Sequence, residues 1–309
     1  MEPMLQPLGR RVYLVPGAGR ARFPYANGLY VRGDVRVLID AGAGPEALGA
    51  VRREGVDVVI NTHYHIDHVR GSHLLAPAPV WAHRLDAPAI QDRAAYLRLT
   101  GLERLGPAVY GPVLESLGFK EAPVCRQLSG GELLDFGGVS ARVIHAPGHT
   151  PGHLALLFEG EGILFSADVD LTRFGPWYGN PASDIGAFLC SIDLLAGLRA
   201  RVVVTGHSGP LPASAEAFRA YAARVEERDR RILEFLGRGR TLEELVQARL
   251  IYRRFPEPYC RLFERVMVEK HLARLARAGM VRLEGGRWRR AGAPSPRRRP
   301  PAGRDAGGG

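Results

Sequence analysis

The sequence predicts a mixed α/β body followed by a small helical, winged-helix-like domain, and three observations carry that assignment. Short apolar runs bounded by turn residues recur on both sides of a stretch with helical spacing. Beyond Pro212 the apolar period becomes that of helices. Behind the last of these, a Gly285-Gly286 pair separates two short strand runs, so the order is helix, helix, hairpin.

In order along the chain, strands are expected at 11–15, 28–31 and 35–40, a helix near 45–54, and a buried strand at 56–60. Residues 69–148 are less regular. Within them Ile90, Ala94, Leu97, Leu102, Leu105 and Val113 recur at helical spacing, which marks 86–117 as a helical insertion stopped by Gly118. Strands return at 142–145, 154–158 and 162–166, followed by a helix at 185–198 and a strand at 201–204. The second unit opens with a helix over 213–236 that carries Phe218, Tyr221, Val225, Ile232 and Phe235 on one face. Thr241 and Glu244 form a capping box before Leu245, and 262–278 reads as an amphipathic helix closed by Gly279. The expected organisation is therefore a first domain over 1–212, a winged-helix-like domain over 213–290 and a disordered Arg/Pro/Gly-rich tail over 291–309.

At 309 residues, 46% hydrophobic and 24% charged, the chain has the apolar material for a sizeable core. No apolar run reaches the roughly 18 residues of a membrane span, and the first residues lack a basic-then-apolar leader pattern. Cys125, Cys190 and Cys260 form an odd set without metal-type spacing. A cytoplasmic protein with no membrane partner is expected. The net charge of +10 is concentrated at the end, where 287–309 holds seven arginines and one acid. Only Lys120 and Lys270 are lysines, so the arginine excess reads first as composition. Arg265, Lys270, Arg274 and Arg277 on the last helix, with Arg282, Arg287, Arg289 and Arg290 on the hairpin, would nevertheless offer phosphate contacts to RNA or DNA.

The informative segment is Asn61-Thr-His-Tyr-His-Ile-Asp-His68, directly after the buried strand. In an extended chain His63, His65 and Asp67 alternate onto one side while His68 turns to a second centre, which suits adjacent metals better than one. Three further segments follow strands: Ala146-Pro-Gly-His149-Thr-Pro-Gly-His153, Ser166-Ala-Asp168 and Thr205-Gly-His207.

With these landmarks in order over about residues 10–212, the chain resembles the metallo-β-lactamase superfamily of hydrolases. The resemblance implies an αββα sandwich, one metal held by His63, His65 and His149, a second by Asp67, His68 and His207, and Asp168 bridging both. Imidazoles and carboxylates suit two divalent ions, zinc first, with iron or manganese also accepted by such ligands. Two ions about 3.5–4 Å apart lower the pKa of a shared water towards roughly 7. The expected enzyme is thus a dinuclear hydrolase that cleaves an ester, thioester or phosphodiester with a metal-bridging hydroxide. Asp67, His63 and His65 form its catalytic set, with Asp67 orienting the hydroxide.

Asp168 sets the chain apart from the antibiotic-degrading branch, and His65 from the diiron redox branch, which carries glutamate there. The glyoxalase II-like thioesterases share all seven ligands, and the nucleases and thioesterases of the superfamily carry a helical or winged-helix segment of the kind expected in this chain. A mononuclear-iron persulfide dioxygenase-like oxidoreductase is one alternative, and a nucleic-acid-binding module with endoribonuclease activity is another. A small-molecule ester or thioester is the preferred partner. Around the metals, Asp40 is expected to hold a ligand imidazole and His153 to bond beneath the site. Arg173, Trp177, Tyr178 and Asn180 are the candidate substrate-facing residues, with Trp and Tyr as core residues of a packed loop the alternative. The insertion 86–117 is expected to form a lid or a homodimer surface.

Overall fold

Along Arg36–Ile39, Val37 and Ile39 turn to one face and Leu38 to the other, and all three are fully buried. A strand covered on both faces must lie between two apolar layers. The computed structural model, which describes residues 5–237 and 239–291, places a second sheet against one face of this strand's sheet and helices against the other.

The first sheet runs β1 (Gln6–Pro7), β2 (Val12–Val15), β3 (Gly28–Arg32), β4 (Arg36–Ile39), β5 (Val58–Asn61), β6 (Val80–His83) and β7 (Val124–Leu128) in chain order. It is antiparallel through β4 and parallel from β4 to β7. The second contains β8 (Leu133–Asp135), β9 (Ser140–His145), β10 (Leu154–Phe158), β11 (Ile163–Ala167), β12 (Val202–Thr205) and β13 (Leu211–Pro212), antiparallel except for the parallel pair β11 and β12. Val37, Ile39 and Ile60 of the first sheet share a core with Leu154, Leu156, Phe158 and Phe165 of the second. The outer face of the first sheet is covered by the helix Pro45–Glu54 and by the helical residues of the insertion. That of the second is covered by Ile185–Ala196 and the C-terminal helices. This is the αββα sandwich.

Five strands escape the sequence reading: β1 and β13 have two residues each, and β6, β7 and β8 lack a clean apolar alternation. The strand β6 follows Pro77 and Pro79, β7 exposes Cys125, Arg126 and Gln127, and β8 has only three residues. The insertion is helical over Ala87–Gln91, Arg93–Thr100 and Pro107–Ser116, broken where Asp92 caps Ala95 N and Gly101 adopts a left-handed φ of 75°.

In the C-terminal region, Ala215–Leu236 starts at the Ser214 cap, and Leu242–Gln247 carries the capping box of Thr241 and Glu244. The last helix is Pro258–Arg277, one turn longer than the sequence reading, because Pro258 occupies the first helical position, where a missing N–H costs nothing. β14 (Val281–Glu284) and β15 (Arg287–Arg290) form the hairpin. Met267, Leu272, Leu275 and Val281 share one core with Leu157, Leu164 and Val203 of the second sheet. The tail expected over 291–309 lies, after Ala291, outside the described residues. Among the described residues no helix is long and apolar enough to cross a membrane.

Phe165→Ala in the core between the sheets is expected to cost about 3–5 kcal/mol in urea unfolding. Leu283→Ala, at a position 56% exposed, should change stability by less than about 0.5 kcal/mol.

Candidate metal centre

The ends of β4, β5, β11 and β12 and the loop between β9 and β10 meet at one edge of the sandwich. After β5 the chain turns at His65 into the short helix Ile66–Val69, which separates the side chains of His63 and His65 from those of Asp67 and His68. Ala167 ends β11 with a left-handed φ of 44° and turns Asp168 towards the same point. Gly42 is obligatory where the chain leaving β4 crosses this segment, since a Cβ there would lie on the Asp67 carbonyl oxygen.

Two groups of ligand atoms result, His63, His65, His149 and Asp168 in one and Asp67, His68 and His207 in the other. In the first, His65 Nδ1 lies 3.1 Å from His63 Nε2 and 2.8 Å from His149 Nε2, and Asp168 Oδ2 is 3.1 Å from His149 Nε2 and 3.7 Å from His63 Nε2. In the second, His207 Nε2 is 3.2 Å from Asp67 Oδ2 and 3.6 Å from Asp168 Oδ1. Asp168 therefore presents one oxygen to each group. Ligands about 2.0–2.1 Å from a tetrahedral zinc stand roughly 3.3 Å from one another, a value that the 2.8–3.7 Å separations here bracket. His68 Nε2 and Asp168 Oδ1, 2.9 Å apart, are buried with no hydrogen-bond partner. Buried polar atoms without partners are costly, and a cation between them would satisfy both. The residues fit a pair of divalent ions.

The remaining ring nitrogens are held individually, which selects the atom each imidazole turns inward. His68 Nδ1 donates to Asp40 Oδ2 at 2.7 Å, His149 Nδ1 to the Trp177 carbonyl at 2.8 Å, and His207 Nδ1 to the Ala21 carbonyl at 2.7 Å. Thr62 Oγ1, 3.0 Å from His63 Nδ1, donates to Asp40 Oδ2, while Thr62 N donates to Asp40 Oδ1. His153 Nε2 accepts from the backbone N of Asp168, and burial pushes its pKa down to about 3, so the ring is neutral and free to accept. Burial and neighbouring imidazoles likewise push His63 and His65 well below the ordinary histidine range. Burial opposes ionisation of Asp168, yet His68, His207 and His149 hold its carboxyl well below the usual range. Burial lowers His68, but Asp168 and Asp40 outweigh it and raise the ring to about 10. The pocket thus favours positive charge beside Asp168.

The other candidate residues divide. Trp177 and Asn180 line the cavity above the ligands. Asn180 is fully buried and its amide lies 2.5 Å from His65 Nε2, so its polar end meets a candidate ligand rather than open cavity. Tyr178, expected towards substrate, is fully buried and points away, because its hydroxyl is taken by His271 Nε2 at 2.7 Å and Arg228 Nη1 at 2.9 Å. Arg173 is exposed and is not among the lining residues. Sequence reasoning misses Asp86 altogether. Its buried carboxylate accepts from Thr150 Oγ1 at 2.6 Å, Gly152 N at 2.6 Å and Tyr64 N at 3.2 Å, and so ties the segment of His63 and His65 to that of His149. No local pattern announces a carboxylate whose partners are distant backbone N–H groups and a threonine hydroxyl.

Most arginines proposed for phosphate contact are already engaged. Arg265 pairs with Glu243, Arg274 with Asp229, Arg282 with Glu284 and Arg287 with Glu244, while Lys270 donates to the carbonyls of Pro181 and Ser183. The cavity has a volume of about 580 Å³, and Arg22 is the only arginine or lysine among its lining residues.

Asp86→Ala leaves three buried donors without an acceptor and is expected to cost about 2–4 kcal/mol in urea unfolding and to lower the metal content of the purified protein by elemental analysis. Unchanged stability and metal content would show that the two segments hold their places without it.

A family model for the metallo-beta-lactamase superfamily matches residues 22–207. The chain is 30% identical over 136 residues to a hydroxyacylglutathione hydrolase of Chelativorans sp., covering 43% of this chain and 42% of that protein. It is 26% identical over 214 residues to a thioesterase of Emericella nidulans, covering 66% and 52%. The chain thus spans about half or less of the length of these curated relatives. A metallo-beta-lactamase family protein from Thermus thermophilus superposes with a TM-score of 0.68 at 26% identity, over 90% of this chain and 98% of that one.

Proposed function

From a chain that belongs to the metallo-beta-lactamase superfamily, we propose a dinuclear, zinc-dependent hydrolase that cleaves a carboxylic acid thioester or ester. The observation that carries the reading is Asp168, with one oxygen facing each ligand group at the floor of an apolar cavity. His63, His65 and His149 would hold one ion, Asp67, His68 and His207 the other, and Asp168 both. Bound there, two divalent ions would supply Lewis acidity and a water acidic enough to ionise at neutral pH.

The chain's own groups do the rest. Asp40, Thr62 and the carbonyls of Trp177 and Ala21 fix which nitrogen His63, His68, His149 and His207 offer. The Asp67 carboxylate, on the cavity floor, would orient the attacking water. The aromatic walls keep bulk water from the reacting carbonyl. A single arginine in the lining is poor provision for a phosphodiester, whose charge calls for several cations, and this supports the acyl substrate over RNA or DNA. Relatives named as a hydroxyacylglutathione hydrolase and a thioesterase support the same class. We take residues 1–212 as the hydrolase domain and 213–290 as a winged-helix-like unit that walls its cavity.

Protein purified without added metal is expected to carry about two zinc per chain and to hydrolyse an acyl thioester faster than a bis-aryl phosphodiester. Turnover should vanish on chelation, return with zinc, and be lost in His63→Ala. One iron per chain with oxygen uptake on a persulfide, or preference for the phosphodiester, would overturn the reading.

A further inference from the structure

The cavity is larger and more apolar than a small hydroxyacyl or acetyl group needs. At about 580 Å³ it falls within the range of ~300–1,000 Å³ of sites that enclose ligands of drug size. Its floor carries His65, Asp67, His149, Asp168 and His207. One wall comes from the helical insertion, through Tyr96, Leu102, Val113 and Leu117. A second wall comes from the C-terminal segment, through Tyr252, Tyr259, Cys260 and Phe263.

Trp177 joins floor to wall. Its ring lies 5.3 Å from that of His65 and 5.1 Å, edge to face, from Phe263, and its Nε1 donates to the Tyr252 hydroxyl at 2.5 Å. The aromatic row continues from Phe263 to Tyr259 at 5.7 Å and on to Phe23 at 6.3 Å, which is 48% exposed. An apolar path therefore runs from solvent to the ligands. The loop before Trp177 is braced by the buried Arg228 of the helix Ala215–Leu236, which donates to the carbonyls of Phe174 and Pro176.

We propose that this cavity is an acyl-binding site, gauged by the C-terminal segment, and that the substrate is a thioester or ester of a large apolar carboxylic acid. The inference rests on the hydrolase reading above. The acyl group lies between Phe263 and Val113 with its carbonyl at the floor, and the leaving group remains near the mouth beside the exposed Arg22. Contacts made only by the acyl chain raise the specificity constant with each methylene they bury, by up to about fourfold.

The test is a series of thioesters of one small thiol, from acetyl through butanoyl and octanoyl to decanoyl and 2-naphthoyl, hydrolysed by the metal-loaded protein. kcat/KM is expected to rise roughly a hundredfold or more from acetyl to octanoyl. Val113→Trp, which narrows the cavity, should lower the octanoyl-to-acetyl ratio at least about tenfold. Inhibition of the unaltered protein by the product acids should strengthen in parallel from acetate to decanoate, a measurement that depends on no variant. A flat or falling series with acetyl thioester still hydrolysed would overturn the acyl-site proposal and leave the hydrolase reading intact. Absence of turnover on every thioester and ester, with two metals bound, would overturn both.

Discussion

Five imidazoles and two carboxylates are brought to one edge of the sandwich with their ligand atoms 2.8–3.7 Å apart across the closest pairs, and nearly all of them are buried. Such a set is unfavourable unless positive charge lies among it, because desolvated carboxylates repel one another and desolvated imidazole nitrogens need partners. The neighbouring structure supplies the supports this arrangement requires. Asp40, at a left-handed φ of 60°, serves both Thr62 and His68, so a strained residue at the end of β4 orients two imidazoles at once. Asp86 performs the corresponding task between the segments of His65 and His149.

These supports come from elements far apart in sequence, and that couples the centre to the fold. Leu154 N donates to Thr62 O, Asn27 Nδ2 to Thr205 O, and Asn27 N to Gly206 O, so the two sheets are bonded to each other where the ligands emerge. A glycine at 206 leaves room there, since a Cβ would stand 2.7 Å from Asp168 Oδ1 and 2.8 Å from His68 Cε1. Local geometry at the centre is over-determined by contacts that no single element could provide, which is how a site holds atoms in place without a stiff backbone of its own.

The legibility of the molecule in its sequence follows the range of the interactions involved. His63, His65, Asp67 and His68 are visible because one strand end carries all four, and the strands around them because apolar alternation is local. His149, Asp168 and His207 become candidates through the order of family landmarks, since nothing local distinguishes them from other loop histidines and aspartates. Asp86 and the inward turn of Tyr178 are illegible because their partners lie 64 to 93 residues away in some pairings and are backbone or buried side-chain groups. The strands β6 to β8 sit at or near sheet edges or behind prolines, where one-sided burial removes the alternation that would reveal them. At Pro258 the signal is present in the sequence, since a proline suits the first helical position, but apolar periodicity alone starts the helix a turn too late.

The net charge of +10 and the apolar cavity point to different ligands until the arginines are followed to their contacts. Arg265, Arg274, Arg282 and Arg287 meet acids of their own region, and Arg228 is spent on carbonyls beneath the aromatic loop. Within the described residues, therefore, positive charge largely braces the C-terminal helices and hairpin and the loop they hold, rather than lining the approach to the centre. The consequence for chemistry is direct. A cavity walled by Trp177, Tyr252 and Phe263 screens the charges on its floor less than bulk water would. The C-terminal segment, through Tyr252, Tyr259 and Phe263, supplies part of the wall that faces the ligand residues.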